Sequence, residues 1–512
     1  MIYTPPLKKE TSHDKKRRYL LLHISSLCAV IVNTVIVVHL IQTFEVDQIG
    51  DWLSLILLGY VWLFIVVTTV IKLIGLTQAK EEEAPFLPVA KHPTIDIFLP
   101  ICGEGDEIIL PTWEAVATLA RVYQHATGRQ AKVYVLDDAG SLTRQRQAVE
   151  RGFVYLSREK KGGDKKAGNL NYGLKHSTGE YVVVFDADFI PTYHFLFDTL
   201  PYIVTDPSIG ILQTPQAFRS DEFHGLEQGA CTVQDFFYSV VQPSQDTFGA
   251  AICVGSNAIY RRKALQAIGG TVLREHSEDI WTGFAVSQAG YRVKYLNRAL
   301  AFGRSPDNLY SFFIQQRRWC LGSTTLALSK DFWQADLTIM QKLSYLSGFM
   351  FYVYSLVLLA IPLLYLLPGD PMESWEHILI MTQLMVYVLY VMPALIYRYS
   401  NLNTVVAYIF SLWSYAGALI HYFVFGLVDS WEPTGKRVKK QQSSFGITLV
   451  LFHTYTALLI LLFIHTWINQ VLTPLSLYLL IMILVQLIGV GYVVRGSLQA
   501  RWKKQPTLVP GQ

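Results

Sequence analysis

The sequence predicts an α/β domain inserted between membrane-spanning α-helices, on three observations. Of the 512 residues, 51% are hydrophobic and 16% charged, a balance that excludes an ordinary soluble protein of several compact domains. Apolar segments as long as the roughly 20 helical residues that a bilayer core requires lie toward both ends. The middle of the chain turns to mixed polarity, with short β-branched apolar runs that read as buried parallel strands separated by helical stretches.

Residues 1–80 read as a cytoplasmic tail and two spans, Tyr19 to Phe44 and Leu53 to Leu76. The first is too long for the core of a cleaved signal peptide and lacks a small-residue cleavage site after it, so it is expected to be retained. Lys8, Lys9, Lys15, Lys16, Arg17 and Arg18 precede it, whereas the loop between the pair carries Glu45, Asp47 and Asp51. Basic residues stay on the cytoplasmic side, which puts the N-terminus there and returns the chain to the cytoplasm for a domain at 93–342. The strand-like runs of that domain are Ile95 to Leu99, Val133 to Leu136 and Tyr181 to Phe185.

Two spans are expected in 343–397 and two in 446–495. A fifth apolar segment, Val405 to Leu427, cannot also cross without carrying Lys436, Arg437, Lys439 and Lys440, and the basic tail at 496–512, to the outer face. It holds Ser411, Trp413, Ser414, Tyr415, His421 and Tyr422, so residues 402–428 are expected to lie along the interface, with 429–445 a cytoplasmic loop. The formal charge of +4 is small for this length and its basic residues sit beside apolar segments, which favours the lipid bilayer over nucleic acid as partner. The five cysteines, Cys28, Cys102, Cys231, Cys253 and Cys320, are odd in number and scattered, the pattern of reduced thiols.

Ligands of open α/β sheets bind beyond the carboxyl ends of the strands. The run Val133 to Leu136 delivers Asp137 and Asp138 there, and Tyr181 to Phe185 delivers Asp186 and Asp188. Either cluster alone could be solvated turn aspartates; two at one sheet edge point to a ligand. Asp186 and Asp188, two residues apart on extended backbone, can approach one hard cation, Mg2+ or Mn2+, that also grips a diphosphate.

With Asp137-Asp138, Asp186-Ala187-Asp188, Ser277-Glu278-Asp279 and Gln315-Gln316-Arg317-Arg318-Trp319 in order, the chain resembles the processive, membrane-integrated family 2 glycosyltransferases, which include cellulose, chitin and hyaluronan synthases. The resemblance implies a GT-A-like cytosolic domain that holds the uridine end of a UDP-sugar donor on Glu104, Asp137 and Asp138. It implies metal and diphosphate on Asp186 and Asp188, diphosphate contacts from Lys166 and Arg318 beside Gln315, and a catalytic pair Glu278 and Asp279 with Asp279 as general base. Trp319 and Cys253 would border the acceptor, a growing polysaccharide. Taken alone, Lys165 and Lys166 read first as a solvated charge pair, with Arg317 and Arg318 open to a reading as interfacial anchors and Trp319 to one as core.

Some positions depart from the pattern. Val254 separates Cys253 from Gly255, Ser277 replaces a threonine, and Ile101-Cys102-Gly103-Glu104 lacks the tyrosine of a Thr-Tyr-Asn-Glu start. Trp431, Thr434 and Lys436 are similar to the gating loop of cellulose synthase, or form a plain Pro-Gly turn. The implied activity is processive inverting transfer from UDP-glucose to an exported β-glucan at the plasma (bacterial inner) membrane, with room for accessory export subunits. A chitin- or hyaluronan-type synthase using UDP-N-acetylglucosamine and a non-catalytic nucleotide-sugar-binding transporter are the alternatives. The 496–512 tail is expected to hold no cyclic-dinucleotide receptor. With native cysteines replaced, Lys436→Cys should react with an impermeant thiol reagent from the cytoplasmic face alone; labelling from outside would overturn this topology.

Overall fold

The computed structural model describes residues 12–42, 44, 49–78, 83–219, 225–274, 277–306, 308–366, 402–426, 439–469, 479–480, 482–484 and 486–493. The expected loop residues Trp431, Thr434 and Lys436, and the segment Ile378 to Tyr397, lie outside them. The Lys439–Asn469 helix opens inside the stretch expected to be loop, since Lys439, Lys440, Gln441 and Gln442 are good helix formers.

The central domain is built on a seven-stranded sheet. Its strands and those beside it are, along the chain, β1 (Ile95–Ile101), β2 (Ala131–Asp137), β3 (Val154–Leu156), β4 (Tyr181–Val184), β5 (Ile190–Pro191), β6 (Ile209–Gln213), β7 (Ala217–Arg219), β8 (Ala258–Arg261), β9 (Arg292–Tyr295) and β10 (Ala301–Arg304). The main order is β3-β2-β1-β4-β8-β6-β9, and β5-β10-β7 form a second small sheet. Strands β3, β2, β1 and β4 are parallel, as their continuous apolar character predicts, but β8 runs antiparallel between β4 and β6, so the sheet is mixed.

Both faces of this sheet are covered. Ile95, Ile97, Leu99, Tyr181 and Val183 pack with Trp113, Tyr123 and Phe185 on one side. Phe98, Tyr134, Leu136, Val182 and Val184 pack with Leu170, Tyr260 and Leu265 on the other. Double-sided burial is why β1 and β4 show no polar alternation. The chain leaves β1 for β2 on one side and reaches β4 on the other, so a crevice opens at the carboxyl ends of β1, β2 and β4.

Among the described residues, five helices are long and apolar enough to cross a membrane: Asp14–Gln42, Ile49–Gln78, Ile339–Leu363, Asn403–Phe425 and Phe445–His465. They share a core that includes Leu58, Phe64, Tyr354, Trp413, Phe452 and Leu459. Ile24, Ile31, Ile41, Ile56, Leu461 and Ile464 face outward, a surface suited to lipid. The Asn403–Phe425 segment stands apart. Its most apolar stretch is 67% buried, against 44% or less for the others.

That burial has polar causes. Tyr415 donates to Gln316 Oε1 at 2.6 Å, Arg317 donates to the Gly417 carbonyl at 3.3 Å and pairs with His421, and Asn403 donates to Gln228 at 3.1 Å. Asn403, Tyr415 and His421 of the segment therefore serve its packing on the central domain, whereas Ser411 and Ser414 bond their own helix and Trp413 donates to Gln486. Phe185, fully buried edge-on against Phe195 with ring centroids 4.9 Å apart, should cost about 3–5 kcal/mol when cut to alanine, read as a lower melting temperature of the purified protein.

Candidate active site

Each sheet edge carboxylate arrives by a short continuation of its strand. Asp137, the last residue of β2, is fully buried; it accepts from the amides of Ala139 and Ser141, each at 2.8 Å, and from the Tyr155 hydroxyl at 2.7 Å. It thereby shapes its own turn. Asp138 is gripped by Arg158 through two hydrogen bonds of 2.5 and 2.6 Å, and the same guanidinium donates to the Lys165 carbonyl at 2.9 Å. Arg158 thus ties the end of β2 to the start of the Lys165–Lys175 helix. Sequence reading missed Arg158 and Tyr155, since nothing local marks partners 20 and 18 residues away.

Glu104 follows β1 and accepts from the Cys102 amide at 2.6 Å. Burial pushes its carboxyl up, against that hydrogen bond and with the help of Asp186 and Asp137. Asp186 follows β4, its amide donating to Ser256 Oγ at 2.9 Å, and its carboxylate pairs with Lys166. Lys166 also donates to the Gly255 carbonyl at 3.0 Å. Its burial opposes the charge, but Asp186, Glu278 and Asp279 outweigh burial and hold its pKa above the ordinary value. Asp188 is pushed up to about 7 by desolvation and by Asp186.

Asp279 is the second residue of the Glu278–Gln288 helix. Burial and Glu278 raise its carboxyl to about 7, while Lys166 and Arg318 pull the other way. Ser277 before it holds a left-handed φ of 60°, and its Oγ donates to the Arg318 carbonyl at 3.5 Å. Two glycines make room: a Cβ on Gly255 would stand 2.9 Å from the Asp279 Cβ, and one on Gly322 would stand 2.0 Å from Ser277 Oγ. Segments 253–258 and 213–215 are knitted together, with Gln213 donating to the Ser256 carbonyl and accepting from the Val254 amide at 2.8 and 2.9 Å.

Of the expected residues, Glu104, Asp137, Lys166, Asp186, Asp188, Glu278, Asp279 and Arg318 therefore share one electrostatic neighbourhood. Gln315 is half-buried one helical position before Gln316, whose side chain is the one bonded to Tyr415. Cys253 turns its sulfur to the Tyr260 hydroxyl at 3.3 Å, and burial pushes the thiol up to about 12, the behaviour of an inert packing residue. Among the described residues no three His, Cys, Asp or Glu side chains form a ready-made metal cage. The donor set still suits a hard cation. Asp186, Asp188 and Glu104 repel one another across a small space, and such a cation uses one or two carboxylates and completes its shell with phosphate oxygens and water.

A cavity of about 250 Å³ begins at Asp279, Ser277, Cys253 and Trp319 and continues between the membrane helices. Its walls there include the aromatic Phe64, Phe351, Tyr352, Tyr408 and Tyr415, the neutral polar Asn33, Thr68 and Ser347, and Lys72.

Residues 96–269 match the family described as Glycosyl transferase family 2. The chain is 34% identical over 282 residues to the UDP-forming cellulose synthase 1 catalytic subunit of Komagataeibacter xylinus, covering 54% of this chain and 37% of that protein. It is 33% identical over 286 residues to cellulose synthase 2 of Novacetimonas hansenii, covering 54% of this chain and 18% of that protein. The chain spans less than half the length of these curated relatives. A mannosyltransferase from Pyrobaculum calidifontis, solved with GDP-Man and Mn2+, shares the fold at a TM-score of 0.50 and 16% identity, over 67% of this chain and 98% of that one.

A carboxyl whose folded pKa lies above its unfolded value destabilises the fold as it ionises; the penalty grows from the unfolded pKa and is complete above the folded one. For Asp279 that upper limit is about 7. Asp279→Asn should therefore melt higher than the wild type at pH 8, by a margin that shrinks toward pH 5. Equal melting temperatures across that range would contradict a buried, raised Asp279.

Proposed function

We propose that this chain, whose residues 96–269 belong to glycosyl transferase family 2 and which is cellulose-synthase-like over about half its length, is a membrane-embedded inverting hexosyltransferase. It transfers sugar from a UDP-sugar, UDP-glucose first, to the end of a growing β-glucan and passes the product between its own membrane helices. The observation that carries this reading is the cavity that starts at Asp279 and Trp319 and runs on among aromatic side chains of the membrane helices. Aromatic faces match the apolar faces of sugar rings, and neutral polar groups match their hydroxyls.

In this reading the crevice at the ends of β1, β2 and β4 receives the nucleotide, with Glu104 and the Asp137 turn at the uridine end. Asp138 acts through Arg158, which holds the Lys165–Lys175 helix and so aims Lys166. Asp186 and Asp188 would hold Mg2+ or Mn2+, which neutralises the leaving diphosphate. Lys166 and Arg318 supply further positive charge to it. The acceptor hydroxyl oxygen attacks the anomeric carbon, its proton passes to Asp279, and the carbon–oxygen bond to the diphosphate breaks with its electron pair leaving on UDP. A base must be ionised to accept that proton, so transfer should rise with pH through about 7.

Trp431, Thr434 and Lys436 are proposed to close over the donor, and the catalytic domain to face the cytoplasm. Purified protein in nanodiscs with Mg2+ or Mn2+ and each labelled UDP-sugar should release UDP and yield a long glucan from UDP-glucose. Turnover of UDP-N-acetylglucosamine instead would move the product to the chitin or hyaluronan type, and no UDP release from any donor would remove the enzyme reading. Asp279→Asn should keep UDP binding and lose transfer by about 10²-fold or more; retained turnover would remove Asp279 as base.

A further inference from the structure

Among the described residues that line the cavity, two are ionisable: Asp279 at its catalytic end and Lys72 on the Ile49–Gln78 helix. Lys72 is 7% exposed, and its ammonium stands 6.0 Å from the centre of the Phe236 ring, another cavity residue. The backbone beneath it is fixed. One turn on, Gly75 lies so close to Ser244 that a Cβ would stand 2.5 Å from its carbonyl oxygen, and the Gly75 carbonyl accepts from Thr247 Oγ1 at 3.0 Å. That seam binds the membrane helix to the central domain one turn beyond Lys72.

An ionisable side chain inside a membrane helix bundle marks a functional position where it lines a cavity, as Lys72 does. The space here is the one that, in the function proposed above and on which this inference rests, takes the glycan. An ammonium offers three donors and no acceptor. Sugar hydroxyl and ring oxygens accept from it, a carboxylate on the chain would be drawn to it, and a protonated amino sugar would be repelled.

We propose that Lys72 is a glycan-binding and specificity residue of the membrane cavity, selecting neutral or acidic sugar chains over cationic ones. Phe236 backs its ammonium, and the neighbouring aromatic rings supply stacking surfaces for the sugar faces.

The test uses the full chain purified in detergent, with a soluble β-glucan hexamer and a fully deacetylated glucosamine hexamer as probes, and intrinsic tryptophan fluorescence as the readout. The neutral hexamer should bind the wild type at least about tenfold more tightly than the cationic one at pH 6, where the amines are protonated. Lys72→Met should weaken the neutral hexamer by about tenfold, the size of a hydrogen bond from a charged donor, and abolish the discrimination. Lys72→Arg should retain both, and Ile74→Met, on an outward position of the same helix, should change neither. Lys72→Gln replaces Lys72→Met if the latter does not fold. Unchanged binding and discrimination in the methionine or glutamine variant would overturn the proposal, as would a wild type that binds both hexamers equally or binds neither while still releasing UDP. A wild type that releases no UDP from any donor would instead overturn the function on which it rests.

Discussion

Like charges brought to one place repel, and the centre of this protein is organised around that fact. Glu104, Asp137, Asp186, Asp188, Glu278 and Asp279 come from four separate stretches of chain and meet at one edge of the sheet. Lys166 answers them from the middle, bound to Asp186 and the Gly255 carbonyl and within the field of Glu278 and Asp279. Burial first, and the congestion second, raise the carboxyls of Asp188 and Asp279 toward neutrality. Such a cluster is stable enough to persist and ready to accept further positive charge.

Holding it requires backbone that ordinary residues avoid. Among the described residues, the non-glycine positions with positive φ are Asp164, Lys165, Asn257 and Ser277. They stand just before Lys166, within the 253–258 segment beside Asp186, and just before Glu278. Each costs about 1–3 kcal/mol and persists only where surroundings over-determine it. Here the surroundings are Arg158 on the Lys165 carbonyl, Thr214 on the Asn257 carbonyl at 2.8 Å, and Gly322 beneath Ser277.

The domain and the membrane helices are one mechanical unit for reasons equally specific. Gln242 donates to the Phe237 carbonyl, making a π-turn at Phe237–Val241, and Pro243 has no amide to offer the Ser239 carbonyl. Tyr19 of the first membrane helix reaches that carbonyl at 3.5 Å, and Arg18 donates to Ser239 Oγ at 3.0 Å. On the opposite flank Tyr415 and Arg317 join the Leu402–Phe425 helix to the Leu309–Ala327 helix that carries Arg318 and Trp319. The cavity between these attachments is therefore built jointly by the soluble and membrane parts.

Much of this was legible in the sequence because it depends on local pattern. Continuous β-branched runs bounded by Asp-Asp and Asp-Ala-Asp read as double-covered strands with acidic ends, and unbroken apolar stretches flanked by lysine and arginine read as membrane helices. Those signals follow from burial on both sides of a strand and from the length of a bilayer core, and each needs only neighbouring residues to be seen. Only the tertiary structure decided that Asp138 answers to Arg158, that Gln316 holds Tyr415 across 99 residues, that β8 reverses direction inside the sheet, and that Lys72 shares a cavity with Asp279. Those pairings join residues far apart in the chain through packing, and no local periodicity encodes which distant partner a side chain meets once both are buried.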